Sequence, residues 1–135
     1  MEARKTPMVL MADDDEDDCV IAKDAFKESG AHGVLHCVEN GMELMNYLSG
    51  CPPLPALILL DLNMPQKDGR QALREIKSVP ELRKIPVVVL STSREEKDIA
   101  FSRRMGADSF ITKPTAFAGW VKMMKSFDKN WLFDQ

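Results

Sequence analysis

The sequence predicts an α/β domain, a doubly wound five-stranded parallel sheet covered by helices on both faces, and three observations carry that expectation. Short apolar runs alternate with amphipathic stretches along the chain, the pattern of repeated strand and helix units. The run Leu57-Ile58-Leu59-Leu60 has no polar alternation, as a strand buried on both faces requires. Several runs also end on polar groups: Asp13-Asp14, Asp61, Ser91-Thr92 and Lys113-Pro114. A single aspartate after a core strand would read as a loop cap, but repetition at four strand ends points to one shared site.

Met8-Val9-Leu10-Met11-Ala12 is the first strand. Asp15 or Glu16 can cap the helix after it, whose apolar positions are Val20, Ile21, Ala25 and Phe26 and which Ser29-Gly30 closes. Val34-Leu35-His36-Cys37-Val38 makes a short second strand, and Asn40-Gly41 turns into a helix carrying Leu44, Met45 and Leu48. Gly50 and the proline-rich Cys51-Pro52-Pro53-Leu54-Pro55 end that helix before the Asp61 strand. Past Asp68-Gly69, a third helix presents Ala72, Leu73 and Ile76 and stops before Pro80; the loop to Pro86 leads into Val87-Val88-Val89-Leu90. The fourth helix has only a narrow apolar face at Ile99 and Ala100, so burial should hold it less firmly than its neighbours, with Gly106 as its stop. Ser109-Phe110-Ile111-Thr112 is the fifth strand. The last helix carries Phe117, Trp120, Val121, Met124, Phe127 and Trp131, a stripe wider than one sheet needs.

With 135 residues and no internal repeat or Gly/Ser linker, residues 1–135 read as a single domain. A net charge of −3 argues against a nucleic-acid-binding module, which would carry a basic stripe. Apolar runs are strand-length, well below the roughly 20 residues that span a bilayer, and Met1-Glu2-Ala3-Arg4-Lys5 precedes no signal-peptide core. A cytoplasmic protein without a membrane partner is the expectation. Cys19, Cys37 and Cys51 lack metal-ligand spacing and read as reduced apolar fillers; His32 and His36 read as structural or solvated.

An acidic pair after the first strand, Asp61 within Asp-Leu-Asn-Met-Pro followed by Asp68-Gly69, a Ser/Thr ending the fourth strand, and Lys113-Pro114 after the fifth carry a specific likeness. On them the chain resembles the receiver domain of two-component response regulators (CheY-like) over nearly its whole length. Pro80-Glu81-Leu82-Arg83-Lys84-Ile85-Pro86-Val87 and Asn130-Trp131-Leu132 are most similar to the stand-alone regulators paired with bacterial phytochrome-type sensor kinases. The resemblance implies the flavodoxin-like strand order 2-1-3-4-5, in which ligands bind at the strands' carboxyl ends where the first and third strands are neighbours.

In that order Asp13 and Asp14 lie beside Asp61 across strands about 4.8 Å apart. Crowded carboxylates need a cation between them. Mg²⁺, with about six oxygen ligands and retained waters, suits Asp14, Asp61 and the backbone carbonyl near Asn63, with Asp13 acting through water. The resemblance further implies that Asp61 is a phosphoacceptor served by a sensor histidine kinase or phosphotransfer protein, with Lys113 and Ser91 contacting the phosphoryl group. Ser91 and Phe110 would be the switch pair, where the family often has tyrosine at the Phe110 position. Output would leave by the surface of the fourth helix, fifth strand and fifth helix. Only self-phosphorylation and slow self-dephosphorylation are expected, so the protein is not an enzyme in the usual sense.

Two alternatives stand beside that reading. A haloacid-dehalogenase-like phosphatase also gathers Asp, Ser/Thr, Lys and acidic groups, but it wants an acid/base Asp two residues past the nucleophile, where this chain has Asn63. A phosphorylation-independent interaction module would keep the fold without using Asp61. Finally, if Phe117, Val121 and Met124 fill the inner stripe of the last helix, Trp120, Phe127 and Trp131 are left partly available, which suggests a homodimer interface.

Overall fold

In the computed structural model of the chain, residues 6–50, 53–64 and 68–132 are described. Met1 to Lys5, Cys51, Pro52 and Pro65 of the sequence reading lie outside them. The elements run β1 (Met8–Ala12), α1 (Glu16–Glu28), β2 (Val34–Val38), α2 (Gly41–Leu48), β3 (Leu57–Leu60), α3 (Gly69–Ser78), β4 (Val87–Ser91), α4 (Glu96–Arg104), β5 (Ser109–Thr112) and α5 (Phe117–Phe127). All five strands are parallel, in the order β2-β1-β3-β4-β5.

Side chains of successive strand residues point to opposite faces, and each face has its own core. Leu10, Ile58, Leu60, Val87 and Val89 pack under α2 and α3. Val9, Met11, Leu57, Leu59, Val88 and Leu90 pack under α1 and α5. Because the inner strands are covered on both sides, β3 is fully buried along its length, and its apolar run leaves Asp61 as the first residue able to face the sheet's edge.

Helix starts follow local hydrogen-bonding chemistry. Asp15 caps α1 by accepting from the backbone N–H groups of Asp17 and Asp18; Asn40 does the same for Glu43 at α2 and Asp68 for Arg70 at α3. At the other end of the chain a π-helical turn, Asp128–Leu132, extends α5. Its Asp128 carboxylate accepts from the His32 backbone N–H at 2.8 Å and meets His32 Nδ1 at 2.9 Å, tying the approach to β2 to the last helix.

Three helical faces differ from the sequence expectation. In α1, Val20 is 58% exposed and the inward positions are Ala22, Ala25 and Phe26, because α1 packs against α5 and small residues allow that approach. In α4, Ala100 is exposed and the two buried residues are polar, Asp98 and Ser102. Burial of Asp98 is offset by partners: Arg70 Nη2 donates to it at 2.8 Å and Ser93 Oγ at 2.7 Å. In α5 the inner stripe is Trp120, Met123, Met124 and Phe127, while Phe117 is 47% exposed.

The last difference corrects the proposed interface. Trp120 and Phe127 are 2% and 1% exposed and cannot meet a second copy; Trp131 is half-buried with its ring 5.8 Å from that of Phe127. Both candidate stripes share Met124 and satisfy helical spacing. The one that buries the larger rings removes more apolar area from water, and it is the one adopted.

Candidate phosphoacceptor site

Sheet register assembles the site. Ala12 pairs with Leu60, so the next residues, Asp13 and Asp61, leave neighbouring strands side by side, with Asp61 N–H donating to the Ala12 carbonyl at 3.1 Å. Ser91 pairs with Thr112, and Lys113 N–H donates to the Ser91 carbonyl at 2.9 Å. Residues separated by up to 100 positions thus end at one edge because parallel strands deliver all their carboxyl ends to the same side.

Asp13, Asp14 and Asp61 each offer a carboxylate oxygen within 4.8 Å of the others. Asp13 and Asp61 are buried, whereas Asp14 is exposed. Lys113, its side chain 8% exposed, places Nζ 2.7 Å from Asp13 Oδ2, 2.7 Å from Asp18 Oδ2 and 3.6 Å from Asp61 Oδ2. The Asp18 contact is a well-directed hydrogen bond, and the Asp13 contact is an ion pair whose Oδ2 accepts no aligned hydrogen bond. Asp61 Oδ1 accepts from the Asn63 N–H at 3.2 Å, and Ser91 Oγ, fully buried, accepts from the Ser93 N–H at 3.1 Å.

These positions set the charge balance. Burial pushes the Asp61 carboxyl up, from 3.8 to about 6; the Lys113 ammonium opposes the shift and the Asp13 carboxylate adds to it. Burial likewise raises Asp13 against the pull of Lys113. For Lys113 burial acts downward, but the Asp13 and Asp18 carboxylates outweigh it and hold the ammonium above its ordinary range.

A group whose folded-state pKa is raised binds protons more tightly when folded, so its stabilising contribution fades as pH climbs between the two values. For Asp61 that window is from 3.8 to about 6. Asp61→Asn should therefore stabilise the metal-free protein by about 1 to 3 kcal/mol above pH 6, and by little near pH 4. Urea titrations in EDTA at the two pH values check this; equal stability of variant and wild type at pH 7 would contradict the crowded-carboxylate picture.

The donor set fits a hard divalent cation. All three groups are oxygen donors within 4.8 Å of one another, and two of them, Asp13 and Asp61, are buried carboxylates whose negative charges a cation would offset. Residues 9–125 match the profile of the response regulator receiver domain. The chain belongs to the receiver-domain response regulators of two-component signalling. Mg²⁺ is the ion receiver domains bind at this acidic pocket, and Asp13, Asp14 and Asp61 are the side chains that would hold it.

Among curated relatives, response regulator Rcp1 of Synechocystis sp. is 35% identical over 136 residues, covering 97% of this chain and 92% of its own length. The crystal structure of the phosphorylated cyanobacterial phytochrome response regulator RcpA superposes with a TM-score of 0.86 at 38% identity, covering 95% of both chains. The Mn²⁺-bound form of Rcp1 gives a TM-score of 0.84 at 34% identity, covering 96% of both. The narrower likeness to regulators associated with phytochromes thus has support across nearly the full receiver.

Three residues near the receiver's site escaped the sequence reading. Asp18 sits within the acidic run from Asp13 to Asp18, where it looks like one more solvated charge. The helical turn begun by the Asp15 cap brings it round to Lys113 instead. Arg70 and Asp98 are joined across 28 positions, and Arg70 Nη1 also reaches Asn63 Oδ1 at 3.2 Å and the Leu62 carbonyl at 3.4 Å. One signal for Arg70 was its place directly after Asp68-Gly69. For Asp98 no sequence pattern distinguished it from the charges around it.

Proposed function

We propose that the chain, as a single receiver domain spanning residues 1–135, accepts a phosphoryl group on Asp61 from a phosphohistidine of a sensor histidine kinase or phosphotransfer protein. The observation that carries this reading is the convergence of buried Asp61 with Asp13, Asp14 and the Lys113 ammonium at one sheet edge. An Asp61 carboxylate oxygen attacks phosphorus in line with the departing imidazole nitrogen; the O–P bond forms as the P–N bond breaks. Lys113 offers positive charge where phosphoryl oxygens accumulate negative charge, and its burial strengthens that interaction. Asp14, Asp61 and the Asn63 carbonyl, with Asp13 through water, would hold Mg²⁺, which would supply charge neutralisation at the carboxylates and the phosphoryl oxygens.

Ser91 and Phe110 form the switch in this reading. Ser91 Oγ can donate its O–H to a phosphoryl oxygen while it still accepts from the Ser93 N–H, so its movement toward the phosphoryl group pulls on Ser93, which is bonded to Asp98, itself held by Arg70. That pull reaches the start of α4. Half-buried Phe110 lines a cleft with Ile99, Ser102 and Arg103, the space into which it can turn, and the changed α4-β5-α5 surface then carries the output. A second copy docking on α5 would meet exposed Phe117 and the Trp131 edge in place of Trp120. The likeness to Rcp1 and RcpA favours a phytochrome-type kinase as the partner. No helix among the described residues is long and apolar enough to cross a membrane, in keeping with a cytoplasmic place for this reading.

Asn63, whose Oδ1 accepts from Arg70, offers no acid/base carboxylate for repeated hydrolysis. Small phosphate esters incubated with the protein and Mg²⁺ should be cleaved at background rates. Multiple-turnover hydrolysis on the order of 1 per second or faster would establish a phosphatase instead.

A further inference from the structure

An ammonium has three N–H donors, and a long lysine side chain loses substantial rotamer freedom when it is held in one geometry. Among the described residues, Lys113 makes its directed side-chain hydrogen bond to Asp18, at 2.7 Å. Asp13 attracts the same ammonium at 2.7 Å without a well-aligned bond, and Asp61 stands off at 3.6 Å, beyond hydrogen-bond length. Asp18 lies in the first turn of α1, an element separate from the β3 end that carries Asp61, and its side chain is 20% exposed.

Resting on the phosphoacceptor reading, we infer that Asp18 is a positioning residue of this site: its bond to Lys113 anchors the ammonium so that a donor stays free toward a phosphoryl group on Asp61. Without Asp18, the ammonium is left between Asp13, at 2.7 Å, and Asp61, the next carboxylate at 3.6 Å, and the side on which Asp18 drew it no longer opposes a move toward Asp61. Collapse of Lys113 onto Asp61 turns the donor meant for the phosphoryl group into a partner of the acceptor carboxylate. Preorganisation is thereby lost, and the site must break an ion pair before it can be filled.

Simple charge counting gives the opposite sign, and this makes the inference testable. Removing a negative charge near an anion site should tighten anion binding. Beryllofluoride, which mimics the acyl phosphate, is titrated with Mg²⁺ into wild type, Asp18→Ala, Asp18→Asn and Asp17→Ala, the last removing an exposed carboxylate from the same helical turn. Asp18→Ala should bind about tenfold more weakly, Asp18→Asn, which keeps an acceptor oxygen, about threefold more weakly, and Asp17→Ala equally or more tightly. In EDTA, the ammonium resonance of Lys113 in ¹⁵N-edited spectra should be sharp in wild type and broadened by exchange in Asp18→Ala, with the fold checked by an unchanged amide spectrum away from α1.

Equal or tighter beryllofluoride binding by both Asp18 variants, or an unchanged Lys113 resonance, overturns the role of Asp18 while leaving the acceptor reading intact. A wild type that takes no beryllofluoride overturns the acceptor reading, and the role of Asp18 with it.

Discussion

Lys113→Met should destabilise the metal-free protein by about 3 to 5 kcal/mol at pH 7.5, the cost of removing one member of a buried ion pair and leaving its partners unpaired. In wild type the ammonium lies within 4 Å of three carboxylates, and its side chain is 8% exposed. Methionine matches the length and apolar volume of the stem, so the loss is chiefly electrostatic. Asp13 and Asp61 are already shifted upward by burial, and loss of the opposing cation raises them further. The defect is therefore largest above pH 6 and shrinks as pH falls toward 4, where Asp13 and Asp61 of the folded variant take up protons and leave less unpaired buried charge. Urea unfolding in EDTA at pH 7.5 and 4.5 measures both ends. A difference from wild type below about 1 kcal/mol at pH 7.5 would mean that the cluster is solvated well enough to do without its lysine.

Gly69→Ala should cost about 3 kcal/mol and also weaken Mg²⁺ binding, though residue 69 touches no ion. A Cβ at this position would fall inside van der Waals contact of the Asp61 carbonyl oxygen and 2.7 Å from Leu62 Cα. Both obstacles are backbone, so no side-chain rotation relieves the clash. The Gly69 N–H donates to the Leu62 carbonyl at 3.0 Å, which draws the start of α3 against the strand end bearing Asp61. To admit a methyl group, the Asp61 backbone or the helix must shift, and the acceptor carboxylate shifts with it. Thermal or urea unfolding together with a Mg²⁺ titration checks both effects; an alanine variant with wild-type stability and metal affinity would show that this close approach relaxes at no cost.

How much of this was legible in the sequence depends on the kind of force involved. Inner strands were readable because burial on both faces leaves only apolar residues: Met8–Ala12 and Leu57–Leu60 coincide with the runs read from the sequence, while the less buried edge strands Val34–Val38 and Ser109–Thr112 were placed by the alternation of strand and helix. Asp61, Asp13 and Lys113 were readable because each follows such a run directly, and parallel pairing does the rest. Helix faces were harder. The α5 pattern admitted two stripes through Met124, and only the volume of Trp120 and Phe127 against α1 and the sheet decided between them. Asp98 and Asp18 were invisible for a different reason. Each sits among several like side chains, and what singles it out is a cation 28 or 95 residues away in sequence. No local rule of spacing or propensity encodes such a partner.

The central claim, that Asp61 accepts the phosphoryl group, is met most directly by intact-protein mass measurement after incubation with acetyl phosphate. Wild type with Mg²⁺ should gain the mass of one phosphoryl group, wild type in EDTA should gain none, and Asp61→Asn should gain none under either condition. Equal labelling of Asp61→Asn, or a wild type that stays unlabelled with Mg²⁺ present, would contradict it.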